Sequence, residues 1–195
     1  PWIDWIHTAQ VQGNLVRDFV KWDDQPVGVE AFPSSIMRGY RIAMSDPGGP
    51  VYLCFDVTDQ EAAIEKEIPL PDPSRFRPPA PLQADYDAIK EAAQLLASAQ
   101  NPVILADYVG RNNDAVMSLV ALADLLSIPV VDFGARLNFP NTHSLNLTGR
   151  NRELIANADV ILGLDMTDLY GALVRSDPNT HANVPATKPG CKVIN

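Results

Sequence analysis

The 195-residue sequence has only two cysteines, three histidines and 15 Lys plus Arg, and each scarcity removes a class of protein. Cys54 lies in an apolar run and Cys191 near the C-terminus, without metal-ligand spacing or the density of a secreted disulfide scaffold, so the expected compartment is a reducing cytoplasm. His7, His143 and His181 share no ligand spacing with acids or cysteines and adjoin no nucleophile, so surface or packing roles are expected of them. The basic residues are scattered and outnumbered by 24 Asp plus Glu, leaving a net charge of −9, which argues against nucleic acid as a partner. No apolar run approaches the roughly 20 residues that span a bilayer, so no membrane segment is expected. In an acidic chain Trp2, Trp5 and Trp22 are expected to pack within their own domain, not to form a stacking platform.

Proline, by contrast, is plentiful. Six prolines (Pro69, Pro71, Pro73, Pro78, Pro79 and Pro81) fall within residues 69–81, and each fixes φ and lacks a backbone donor, so neither a helix nor a central strand persists there. Residues 59–81, opening with a charged stretch, are expected to link a segment 1–58 to a domain 82–195. In the first segment Phe32, Ile36, Tyr40 and Ala43 recur at helical spacing, and Asp46-Pro47-Gly48-Gly49-Pro50 supplies a stop and a turn. The run Val51-Tyr52-Leu53-Cys54-Phe55 then predicts a strand covered on both faces. One inner strand does not close a parallel sheet, so apolar faces of this segment need cover from further polypeptide or a partner chain.

Beyond the linker, Asp85 is positioned to cap a helix with Tyr86, Ile89, Ala93 and Leu96 as its apolar stripe, and Val103-Ile104-Leu105-Ala106 follows as a strand. Val116, Leu119, Val120 and Ala123 mark a second helix, Ile128-Pro129-Val130-Val131 a second strand, and 153–158 a short helix. Val160-Ile161-Leu162-Gly163-Leu164 predicts a third strand, and Val193-Ile194 begins a fourth. The alternation predicts an α/β fold, a Rossmann-like parallel sheet with right-handed crossovers and helices on both faces, preceded by an incomplete α/β segment. The opening Pro1-Trp2-Ile3-Asp4-Trp5 and the closing strand residues suggest a piece cut at both ends.

A helix, then Asp46-Pro47-Gly48-Gly49-Pro50-Val51-Tyr52-Leu53, a proline-rich linker, and residues 92–105 with Leu95-Leu96-Ala97-Ser98-Ala99-Gln100-Asn101-Pro102-Val103 form an order that resembles thiamine-diphosphate-dependent enzymes. The similarity is to the acetolactate synthase and benzoylformate decarboxylase group, and Lys21-Trp22-Asp23 and Phe139-Pro140-Asn141-Thr142-His143 resemble further family phrases. The resemblance implies that 1–58 closes a pyrimidine-binding domain and that 82–195 is a middle domain, truncated at its C-terminus. It implies a parent enzyme that acts on a 2-oxo acid by decarboxylation or carboligation, with thiamine diphosphate and Mg2+. The bound ylid adds to the substrate carbonyl and the thiazolium ring accepts the released electrons. A homodimer or homotetramer is implied, with the rest of the polypeptide as the other partner. The family's Gly-Asp-Gly motif is absent, and Glu30, ahead of the predicted helix, does not match the activating glutamate, so no catalytic residue is expected in this chain.

Gln10 and Gln12 are substrate-side candidates by the same resemblance. Some middle domains of the family hold FAD or ADP. A parallel sheet puts ligands beyond the carboxyl ends of its strands, which singles out Gly110 for a phosphate, Arg111 for its charge and Asp165 for ribose hydroxyls. The loop has one glycine where the dinucleotide fingerprint has three, Asp107 would repel a phosphate, and Asp168 can simply cap a short helix over 169–174. These features favour ordinary loops over a nucleotide site. A free-standing nucleotide-binding or regulatory module and an inactive paralogue are the competing readings.

Overall fold

A computed structural model describes residues 9–80, 82–134 and 136–195; Trp2, Trp5, His7 and Pro81 lie outside the described residues. The chain divides into two units, Pro1–Gln83 and Ala84–Asn195.

In the first unit β1 (Trp22–Asp24) and β2 (Val51–Leu53) pair in parallel, with Trp22 opposite Val51 and Asp24 opposite Leu53. β2 is the strand expected at 51–55, shortened, whereas β1 was not foreseen because Trp22-Asp23-Asp24 contains no apolar run. The crossover between them is α1 (Phe32–Met44), which begins with Pro33 in its first turn, where the missing N–H costs nothing. The helix was expected, but its packing face differs from the Phe32, Ile36, Tyr40 stripe. Ser35 and Gly39 are its buried residues, while Ile36 and Tyr40 are 48% and 53% exposed. Small residues let the helix lie close to the strands: a side chain begun at Gly39 would already sit 3.5 Å from the Trp22 ring and from Val51. The Ser35 hydroxyl donates to Asp24 Oδ2 at 2.7 Å, which satisfies the buried polar group. At the far end, Lys21 Nζ donates to the carbonyls of Ile42 and Ser45 at 2.7 and 2.6 Å, a cation at a helix C-terminus. A short helix α2 (Val57–Glu61) follows, capped by Asp56, which accepts the Thr58 N–H at 2.8 Å. From residue 62 to 80 the described chain holds one 3-10 turn, Pro73–Phe76, and no α-helix or strand.

The second unit is a three-layer α/β/α domain. Its strands β3 (Pro102–Ala106), β4 (Val130–Asp132), β5 (Val160–Leu164) and, at the chain's end, Lys192–Ile194 form a wholly parallel sheet. The order across it is β4, β3, β5, then the C-terminal strand. α3 (Tyr86–Ser98) and α4 (Asn113–Leu126) cover one face, and α5 (Asn151–Asn157) and α6 (Leu169–Leu173) the other. β3 shows why both faces need cover: Ile104 and Ala106 enter the core with Leu119, Ala123 and Phe139, and Val103 and Leu105 enter the other with Ile155 and Ile161. Asp85 caps α3, accepting the N–H groups of Asp87 and Ala88, as its position predicted. Only the end of α3 docks, however, for Leu96 is buried while Tyr86 and Ile89 are 77% and 54% exposed. Between α6 and the last strand, β6 (Val174–Ser176) and β7 (Asn183–Pro185) form an antiparallel pair that was not foreseen, and the strand ending the chain is β8. No helix among the described residues is long and apolar enough to cross a membrane.

Candidate functional site

The strand order contains a reversal. From β3 the chain crosses to β4 on one side, then passes back over β3 to β5 on the other, so the loops leaving β3 and β5 part at their carboxyl ends. Crevices of this kind are where doubly wound sheets hold ligands. The loops singled out from the sequence, 107–111 and 165–168, are the two that flank it.

Two of the side chains there, Arg111 and Asp165, are joined to each other. Arg111 donates to Asp165 through both Nε and Nη2, at 2.8 and 2.9 Å, a bidentate pair with each side chain about one-third exposed. Asp165 adopts a φ of 55°, the left-handed region that Asp tolerates better than most residues, and its carbonyl accepts the Tyr108 N–H at 3.2 Å. Asp107, 8% exposed, accepts the Thr167 N–H at 3.0 Å. Gly110 is engaged elsewhere. Its N–H donates to Oδ1 of Asn138 at 3.0 Å, and its Cα lies so close to the Leu137 carbonyl that no Cβ would fit.

Asn138 is fully buried and belongs to a hub that sequence reasoning missed. Its Nδ2 donates to Asp132 Oδ1 at 2.7 Å and to the Arg136 carbonyl at 3.0 Å. The Asp132 carboxylate also accepts the backbone N–H groups of Gly134, Asn138 and Phe139 at 2.8, 3.2 and 3.2 Å. A carboxylate in such a ring of donors is compensated without a cation. Asp132 closes the second strand and Asn138 lies in the loop beyond, a spacing that matches no motif. Asp168, read as a cap, is one: it accepts the Gly171 N–H at 2.7 Å.

In the first unit Gln12 comes to the carboxyl end of β2. The Tyr52 hydroxyl and the Cys54 thiol both donate to Gln12 Oε1, at 3.2 and 2.8 Å. The neighbouring Cys54 thiol pushes the Tyr52 phenol pKa up. Gln10 lies two residues earlier in an exposed turn. Nearby, Arg17 forms a two-pronged pair with Asp23 at 2.9 and 2.7 Å, and it holds that carboxyl below the usual range. Glu30 is in a 3-10 turn, 3.7 Å from Lys66 Nζ. His143 accepts the Leu145 N–H at 3.2 Å and stacks edge-on with Phe139, a packing position.

A separate cleft of about 460 Å3, lined by Asn101, Pro102, Ser127, Pro129, Asn157 and Lys188 among others, lies at the amino ends of the strands, opposite the end where such sheets bind ligands. Among the described residues no group of three or more His, Cys, Asp or Glu could hold a metal ion.

The second unit is thus a parallel, three-layer α/β/α domain whose strand order reverses between β3 and β5. Residues 89–183 match the central domain of thiamine pyrophosphate enzymes, so the second unit carries that domain. Over 127 residues, 60% of this chain, it is 35% identical to the probable acetolactate synthase large subunit of Methanocaldococcus jannaschii. Over 127 residues, 61% of this chain, it is also 35% identical to the sulfoacetaldehyde acetyltransferase of Castellaniella defragrans. Each match spans 20% of the relative's length, so the chain corresponds to about one-fifth of either protein.

Proposed function

We propose that this chain serves a thiamine-diphosphate-dependent enzyme acting on a 2-oxo acid by decarboxylation or carboligation, and that its second unit is chiefly a scaffold and subunit interface. The observation that carries the proposal is the central-domain match over 89–183, preceded by a parallel β1–α1–β2 unit and a proline-rich linker. In this reading 1–58 is the closing part of a pyrimidine-binding domain, 59–81 the linker, and 82–195 the middle domain. When bound, the cofactor supplies a nucleophilic ylid and an electron sink. In this reading metal and diphosphate are held by other parts of the polypeptide or by a partner subunit in a dimer or tetramer.

This chain's own contribution to the substrate side is Gln12. Two donors meet at its Oε1, and its amide NH2 has the chemistry to donate to a substrate carboxylate or carbonyl. Gln10, exposed in the adjoining turn, is the second candidate. What supports the scaffold role is a second unit whose sheet is covered on both faces. The equal identity to a sulfoacetaldehyde acetyltransferase favours a second reading, in which the enzyme breaks the C–S bond of a sulfonated aldehyde, releases sulfite and passes the resulting acetyl group to a nucleophilic acceptor such as phosphate.

The test is an assay of the full-length protein with thiamine diphosphate and Mg2+, offered pyruvate and, separately, sulfoacetaldehyde. Acetolactate or carbon dioxide from pyruvate supports the first reading, and acetyl transfer from sulfoacetaldehyde the second. Turnover of neither, by protein shown to bind the cofactor, rejects both. Gln12→Ala should raise the KM for the true substrate or lower kcat about tenfold or more, the effect of losing one positioned hydrogen bond.

A further inference from the structure

The crevice at the strand-order reversal holds every group that would meet a nucleotide diphosphate, and each is already taken by the chain. A diphosphate bound there would need a backbone N–H at the turn after β3, a cation to neutralise its charge and room for its oxygens against the glycine. The N–H of Gly110 points at Asn138 Oδ1, 3.0 Å away. The fork of Arg111 grips Asp165 at 2.8 and 2.9 Å. The space over Gly110 Cα is filled by the carbonyl of Leu137. The remaining carboxylate, Asp107, is committed to the Thr167 N–H and adds negative charge to the same rim.

We infer that this crevice is self-occupied: Asp165 supplies the anion and Asn138 the acceptor that a bound FAD or ADP would supply, so the domain takes no such nucleotide. The inference goes beyond the proposed function and is independent of it, because it concerns only the carboxyl ends of β3, β4 and β5. The glycine of the β3 loop then has a different reason to be glycine, the close approach of the next loop's backbone. The internal pair also ties the β3 and β5 loops together, a job that a bound nucleotide would otherwise do.

The experiment uses the full-length protein. Purified protein is denatured and its released small molecules are weighed by mass spectrometry, and native protein is dialysed against ADP and against FAD at about 1 mM, where a site of millimolar affinity would be half filled. Wild-type protein should release and retain neither nucleotide, whatever it shows for thiamine diphosphate. Asp165→Asn removes the internal anion yet suits the left-handed backbone, so the fold should survive, as circular dichroism will report. With the Gly110 N–H still given to Asn138 and the space over its Cα still filled by the Leu137 carbonyl, this variant should retain no more ADP than wild type. Stoichiometric ADP or FAD in wild-type protein overturns the inference. So does retention of ADP by a folded Asp165→Asn variant.

Discussion

Asn138 binds two loops with one side chain. It is fully buried, accepts from Gly110 and donates to Asp132. Asn138→Leu preserves volume but leaves the Gly110 N–H without its acceptor, while Asp132 Oδ1 keeps the Gly134 N–H, at a cost of about 1–3 kcal/mol for the one donor left unsatisfied. The urea midpoint of the second unit should fall accordingly, and the Gly110 amide should exchange faster with deuterium. An unchanged midpoint would mean that water enters and satisfies the hub. Neither Asp132 nor Asn138 could be chosen from the sequence, because a polar residue after a strand reads as loop until the fold closes over it. Gly110, Arg111 and Asp165 could be chosen, since each follows a recognisable strand. Their pairing with one another and with Asn138 is a fact of distance across 28 and 54 residues of sequence.

At the scale of elements, strands were more legible than helix faces. β3 and β5 read as continuous apolar runs because both of their faces are buried, whereas α3 was given a full apolar stripe although only its last turns touch the sheet. The two cases differ measurably. Ile104→Ala, at a fully buried position, should destabilise the second unit by about 2–5 kcal/mol through lost transfer energy and a residual cavity. Tyr86→Ala, on the exposed start of α3, should change it by no more than about 0.5 kcal/mol. Paired urea titrations compare the two, and comparable losses would show that the start of α3 is covered in the intact protein. α1 makes the same point in reverse. Its sheet-facing side is Ser35 and Gly39, too polar and too small to register as an apolar stripe, and Ile36, Tyr40 and Met44 remain outside.

For the whole molecule the acidic balance has a thermodynamic consequence. Arg17 lowers the pKa of Asp23, Arg150 that of Glu153, and the Thr180 backbone N–H that of Asp177. Desolvation works against the Asp159 carboxyl, but the N–H groups of Gln100 and Asn101, at 2.7 and 2.9 Å, outweigh it and hold that pKa down too. Each group titrates lower when folded than when unfolded, so its stabilisation is complete above the ordinary carboxylate range of roughly 4 and is lost as pH falls through the folded values. Thermal stability should therefore be nearly flat from about pH 6 to 8 and decline below about pH 4, and Asp159→Asn should differ from wild type less at the acidic end. Added salt should shrink the contributions of the exposed Arg17 and Arg150 pairs first.

The sequence by itself determined the α/β class, the parallel sheet, the helix caps at Asp85 and Asp168 and the enzyme family, because these depend on local periodicity, capping chemistry and the order of segments along one chain. Only the tertiary structure decided which face of α1 is inside, that β1 joins β2 and that β6 pairs with β7. It alone decided, too, that the groups at the crevice satisfy one another. Those outcomes depend on which atoms come within about 3 Å of each other, and hydrogen-bond partners distant in sequence are chosen only when the sheet is assembled.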